Sequence, residues 1–193
     1  MLTGTDLMDM SRAELMALLC AGHPIDASAL DDTEYRGISL GLPHVVERLT
    51  WKVFKKTFHR DPRTGALRGW NVRLEQRGVD APCVPMRRGG EPRTFGHYEV
   101  VPATGRKMPA PAHAGLLIDY GRGRNGRLDA MSRVRDPIVA VNAGSADLLL
   151  GWSYVDLGFA QVGTPSFFSL ERDSVLTHRV APPTRIAARP SLR

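Results

Sequence analysis

The sequence predicts a mainly β protein, an antiparallel β-barrel of about eight strands, with an α+β layered sheet as the alternative. The first observation is a run of short segments between residues 95 and 172: Phe95–Val101, Gly115–Tyr120, Ser132–Val141, Asp147–Leu157 and Ser166–Arg172. Each is rich in β-branched and aromatic residues and is bounded by Gly, Pro or Asn, the punctuation of a sheet that rolls up on itself. The second is an upstream pair of period-two segments joined by a turn, which adds a hairpin and makes closure plausible. The third is negative: no strand–helix alternation runs through the chain.

The elements follow in order. Ser11-Arg12-Ala13-Glu14 is a capping box, with Leu15, Met16, Leu18 and Leu19 behind it at helical spacing and Gly22 and Pro24 closing the element. This predicts one helix over 11–21, too short to stand alone and so docked on something. Residues 24–34 form a linker that ends in acids. Tyr35–Leu40 reads as a strand that Gly41 and Pro43 stop. Val45–Phe58 can be drawn as one helix, but the split reading is preferred: a short helix near 43–50 opened by Pro43, then a strand over Trp51–Phe58. Asp61-Pro62-Arg63-Thr64-Gly65 supplies turn residues, and Trp70, Val72 and Leu74 alternate after it.

Two long loops, 77–93 and 103–113, flank the Phe95–Val101 strand and are expected at opposite ends of the barrel. Asn125-Gly126 reads as a tight hairpin turn, because both residues tolerate positive φ. Further turns fall at Asn142–Ser145 and Gly163–Pro165. The organisation is therefore a helix and linker over 1–30, a barrel over 31–176, and a basic, Pro-containing tail over 177–193.

At 193 residues with 42% apolar content, the chain is long enough to bury its own core. It has no apolar tract of membrane-spanning length, and its first ten residues carry Asp6 and Asp9 without a base, unlike a secretory leader. Cys20 and Cys83 lie outside any metal-ligand spacing and read as free thiols in a reducing cytoplasm. The net charge of +6 is segregated, with seven acids before Tyr35 and four arginines and no acid after Leu176. With little aromatic interleaving among the bases, this argues against a nucleic-acid partner.

No cofactor or metal motif stands out. The six histidines show no His-x-x-x-His pattern. The Gly121–Gly126 run lacks the Lys-Ser/Thr and helix of a phosphate loop. Gly37-Ile38-Ser39-Leu40-Gly41 has the letters of a nucleophile elbow without its strand-to-helix context.

The candidates are polar residues on strands. His97 shares a face with Phe95 and Glu99, as a base paired with a carboxylate does; a surface histidine looks the same. Asp119 follows three aliphatics just before a turn, as a strand's exit into water does; it, Asp136 and Asp156 need hydrogen-bond partners if they face inward. His97, Asp119 and Asp136 are the catalytic candidates. Tyr98, Tyr120, Trp152 and Tyr154, with His97 and Asp119, are candidate ligand-lining residues, core packing being the default for the aromatics. Both faces of Leu148–Leu157 are apolar, so its outer face needs a cover, either the N-terminal helix or a second subunit in a homodimer.

Glu34-Tyr35-Arg36-Gly37 with a following Gly-Leu-Pro stretch and Leu49–Phe54, then Arg135-Asp136-Pro137-Ile138-Val139, then Leu150-Gly151 with Phe167–Arg172, together resemble the bacterial Gly-x-Trp-x-Gly proteins and their partner domain of unknown function, the DUF4334 type. The resemblance covers 33–172, with Tyr35 in place of the motif's Trp and Thr33 in place of its first Gly. It implies a lipocalin-like, calycin-type barrel and assigns no functional residue. The leading expectation is therefore a barrel that binds a small hydrophobic or amphipathic ligand, lipid or fatty-acid-like, with His97, Asp119 or Tyr120 fixing its polar end. An enzyme using an internal His/Asp pair, and an interaction module for an anionic partner, are the alternatives.

Overall fold

The computed structural model describes residues 1–41, 52–126 and 129–183. The short helix expected near 43–50, Trp51 and most of the tail lie outside the described residues.

Eight strands close into an antiparallel barrel, as expected. They are β1 (Thr33–Leu40), β2 (Val53–Arg60), β3 (Leu67–Arg73), β6 (Thr94–Pro102), β7 (Leu116–Asp119), β8 (Val134–Ala140), β9 (Leu148–Asp156) and β10 (Gln161–Val175). Around the barrel they run β1-β10-β9-β8-β7-β6-β3-β2, and β2 pairs back onto β1. A small hairpin of β4 (Arg87–Arg88) and β5 (Glu91–Pro92) stands in the β3–β6 connection.

Side chains alternate in and out along each strand. The inner set is one apolar cluster containing Tyr35, Phe58, Tyr98, Tyr120, Phe168 and Leu170, with Phe54 packed against it. Three glycines make room for these rings. A Cβ on Gly37 would lie 2.3 Å from the Phe54 ring, one on Gly151 2.2 Å from Phe168, and one on Gly69 2.6 Å from Tyr98. Aromatic rings thus occupy the places of missing side chains, and they meet edge-on: Tyr35–Phe58 at 5.4 Å, Phe58–Tyr98 at 6.0 Å, Tyr98–Tyr120 at 5.3 Å and Phe54–Phe168 at 6.0 Å between centroids. Ile25 and Leu30, around a 3-10 turn over Ala27–Leu30, join the same cluster and close the lower end, where β1 begins.

The outer wall is also covered. Two helices precede the barrel, α1 (Gly4–Asp9) and α2 (Arg12–Ala21). Only α2 was expected. α1 carries its own capping box, Thr3 with Asp6, which the sequence displays. Leu7, Leu15 and Leu19 pack in one cluster with Val139, Leu148, Leu150, Trp152, Tyr154 and Phe167. Ala103, Ala110 and Ala112 of the long β6–β7 connection complete it. The second apolar face of β9 is therefore covered by this chain's own helices and loop. On the far wall, Leu176 and Val180 cover Trp70 and Val72.

One turn differs from expectation. Asn125-Gly126 makes no two-residue hairpin; β7 ends at Asp119 and β8 starts at Val134. The Asn125 amide instead accepts from the His97 N–H at 3.0 Å and donates to the His97 carbonyl at 2.7 Å. Its side chain does for β6 what a neighbouring strand would do.

The seating of rings on glycines predicts that Gly151→Val destabilises the barrel by roughly 1–3 kcal/mol through overpacking against Phe168. The measurement is the midpoint of chemical denaturation, with near-UV circular dichroism confirming the native fold; an unchanged midpoint contradicts the packing account.

Candidate functional site

Only part of the expected set of polar residues meets inside. Tyr98, Tyr120 and Asp136 face the interior; Tyr98 and Tyr120 belong to the inner cluster. Trp152 and Tyr154 belong to the outer cluster under the helices and the 103–112 segment, so they do not line the barrel. Asp119 is also on the outer wall, paired with Arg135 at 2.9 Å. Asp156 ends β9 at the β9–β10 turn, where it caps the Gly158 N–H. Ser39 of the elbow-like motif lies within β1, not at a strand-to-helix turn.

The residue that organises the interior is Lys56, which was not among the expected site residues. It is 2% exposed. β2 places it between Phe54 and Phe58 on the inner face. Its ammonium lies 5.1–5.7 Å from the ring centroids of Phe54, Tyr98, Tyr120 and Phe168, a cationic group in an aromatic box. Three acceptors take its three protons: Tyr120 Oη at 2.5 Å, Asn71 Oδ1 at 3.0 Å and Asp136 Oδ2 at 3.3 Å. Tyr120 Oη in turn donates to Asp136 Oδ2 at 3.1 Å and accepts from Asn71 Nδ2 at 3.3 Å. Ser153 Oγ donates to Asp136 Oδ1 at 2.7 Å.

The electrostatics follow from burial. Desolvation lowers the Lys56 pKa, and the Asp136 charge offsets only part of that lowering. Desolvation, and then the Asp136 charge, raise the Tyr120 hydroxyl well above its ordinary value, so it serves as a donor and not as a base. The cluster stands toward the upper end of the barrel. Phe54, Met131, Val134 and Ser153 around it are partly exposed, whereas the lower end is closed by Ile25 and Leu30.

His97 lies on the opposite side of the wall from this cluster. It is buried against Trp70, with ring centroids 6.0 Å apart. Among the described residues no carboxylate pairs with it, and its Nδ1 has no hydrogen-bond partner. Burial, and then the Arg68 guanidinium, pull its pKa down to about 4, so it is neutral at pH 7. A His97–Asp pair inside the barrel is therefore not formed.

Next to His97 the wall carries a cleft of about 110 Å³, bounded by β3, β6 and the 122–124 segment. Among the described residues no group of three or more His, Cys, Asp or Glu is placed to hold a metal ion. No helix there is long and apolar enough to cross a membrane. No protein-family model matches the chain, and no curated protein does.

Two predictions follow from these environments. Breaking the interior pair one side at a time, by Lys56→Met or Asp136→Leu, strands a buried charge and lowers unfolding free energy by about 3–5 kcal/mol, whereas the double variant recovers most of it. Denaturant titration of the three variants checks this; additive losses in the double variant contradict it. For His97, the unfolded chain takes up a proton between its ordinary 6.5 and the folded value of about 4, and the folded chain does not. Stability is thus unaffected by this group above pH 6.5 and falls as pH drops through that window. His97→Phe flattens that part of the stability-against-pH curve, and a curve parallel to the parent's contradicts the assignment.

Proposed function

We propose that the protein binds a small amphipathic molecule at the upper end of the barrel, with the ligand's polar end at the Lys56–Tyr120–Asp136 cluster. The observation that carries this is a complete charged network inside an otherwise apolar barrel. Such a buried pair adds little to stability, because apolar side chains of similar volume do as well or better. Its position favours binding, since partly exposed apolar side chains, Phe54, Met131 and Val134, surround the upper end beside it. Asp136 is the most distant of the three Lys56 acceptors, at 3.3 Å, and is the one an incoming carboxylate oxygen can replace. The ligand class is thus a carboxylate with an apolar body, fatty-acid-like, and the polar anchor is Lys56 with Tyr120, not His97 or Asp119.

A barrel of this kind agrees with the lipocalin-like fold that the Gly-x-Trp-x-Gly resemblance implies, and membership of that family belongs to the same proposal. So does a cytoplasmic location, which the unpaired Cys20 and Cys83 favour. The acid–base alternative loses its His97 anchor. The Lys56 cluster is fully hydrogen-bonded, and its tyrosine is pushed away from the range of a useful base.

Fluorescence titration with fatty acids of increasing length, and with neutral alcohols of the same length, tests the reading. One-site saturation is expected, with acids preferred over alcohols in the parent and the preference abolished in Lys56→Met/Asp136→Leu. Absence of saturation by any member of either series, or an acid preference that survives in the double variant, overturns it.

A further inference from the structure

We propose that the cleft on the outer wall between β3, β6 and the 122–124 segment is a binding site for a small oxyanion, a phosphate or carboxylate group. The inference does not rest on the barrel interior. Four buried side-chain polar atoms among the described residues have no hydrogen-bond partner, and two of them, Arg68 Nε and His97 Nδ1, belong to residues that line this one cleft. Orphaned polar atoms inside a protein are rare, and two on adjacent strands point to a missing partner common to both. Arg68 Nε–H is an obligate donor, and neutral His97 donates from Nδ1 in one of its tautomers. His97 Nδ1 has no acceptor, and Arg68 Nε has only the Asp61 carboxylate at 3.4 Å.

The surrounding charges define the sign of the missing partner. Arg68, Arg122 and Arg124 line the cleft with Asp61 and Glu99, leaving one net positive charge. The carboxylates hold these guanidiniums loosely. Arg68 Nε stands 3.4 Å from Asp61, and Arg122 stands 3.6 Å from Glu99 and 3.5 Å from Asp119, all beyond a charge-assisted hydrogen bond. Arg124 makes no hydrogen bond or ion pair among the described residues and sits at φ 60°, a left-handed backbone uncommon for a residue other than glycine. Arg68 Nη1 already donates to the Val180 carbonyl at 2.8 Å; a planar or tetrahedral oxyanion supplies close acceptors for its Nε and for Arg122 and Arg124, and about 110 Å³ accommodates it.

The backbone explains why His97 is there. Gly96 at φ 53° sits where the β3–β6 register shifts between Gly69 and Asn71. Such a bulge re-aims the next side chain, here turning His97 onto Trp70 at the cleft wall.

The test is an NMR titration of the full chain, carried out separately with inorganic phosphate and with acetate at constant ionic strength set by chloride. Saturable shifts of the Arg68, His97 and Arg124 side-chain signals are expected with at least one anion, with His97 reading as the Nδ1–H tautomer at saturation. Saturation by phosphate alone identifies a phosphate-bearing ligand, and by acetate alone a carboxylate. Arg124→Asn keeps a residue that tolerates the left-handed backbone and is expected to weaken binding about tenfold. His97→Phe, which keeps a ring against Trp70, is expected to do the same. No saturation by either anion, or affinity in Arg124→Asn equal to the parent's, overturns the proposal. Because neither probe has an apolar body, failure here leaves the interior reading standing, and the reverse holds as well.

Discussion

The structure depends on how an eight-strand barrel fills its own interior. Here large rings do it, and they fit because Gly37, Gly69 and Gly151 give up their side chains at the matching places. The arrangement fixes register as well as volume. A one-residue slip of β2 would lift Phe54 off Gly37 and turn Lys56 outward, and the same slip in β10 would lift Phe168 off Gly151. The aromatic box then sets the terms for Lys56. Ring faces offer its ammonium a favourable field, but they accept no conventional hydrogen bond, so Tyr120, Asn71 and Asp136 must supply all three acceptors.

Much of the architecture was legible, because period-two alternation and turn residues are local signals. The faces were harder. In Leu148–Asp156 both sides are apolar, so alternation says that two sets exist without saying which is inside. Trp152 and Tyr154 look like pocket wall on that basis, yet α1, α2 and the 103–112 segment make the outer set as dry as the inner one. The glycines carry the missing information. Gly151 shares the face of Leu149 and Ser153, and a glycine facing a bulky ring across a strand pair marks the crowded side.

Lys56 was legible in the same way and was missed. It alternates with Phe54 and Phe58, and a lysine on an aromatic face is either a surface interruption or a buried charge in need of partners. Its partners come from β3, β8 and the end of β7, far away in sequence, so no spacing rule reaches them. His97 failed in the opposite direction. It shares the outer face with Glu99, and both line the cleft, but the bulge at Gly96 pairs Phe95 with Asn71 and breaks the alternation on that side, so the carboxylate expected beside His97 stands in the outer wall and not in the interior.

The two polar groups on either side of this wall differ in how their hydrogen bonds close. The interior network is complete: each proton of Lys56 and each carboxylate oxygen of Asp136 has a partner. The outer cleft is incomplete, and the reason is traceable to strand length. β7 stops at Asp119, after only four residues, so β6 loses its strand neighbour from Tyr98 upward. Asn125 replaces the lost ladder bonds with its side-chain amide, which holds the chain close over β6; a Cβ on Gly123 would lie 1.7 Å from the His97 carbonyl oxygen. That close return brings Arg122 and Arg124 beside Arg68 and leaves His97 beneath them. A full-length β7 would satisfy the backbone by ordinary pairing and carry those arginines elsewhere. The shortened strand, the bulge and the asparagine are thus one device, and its product is a concave, donor-rich surface on the outside of a barrel whose inside is already satisfied.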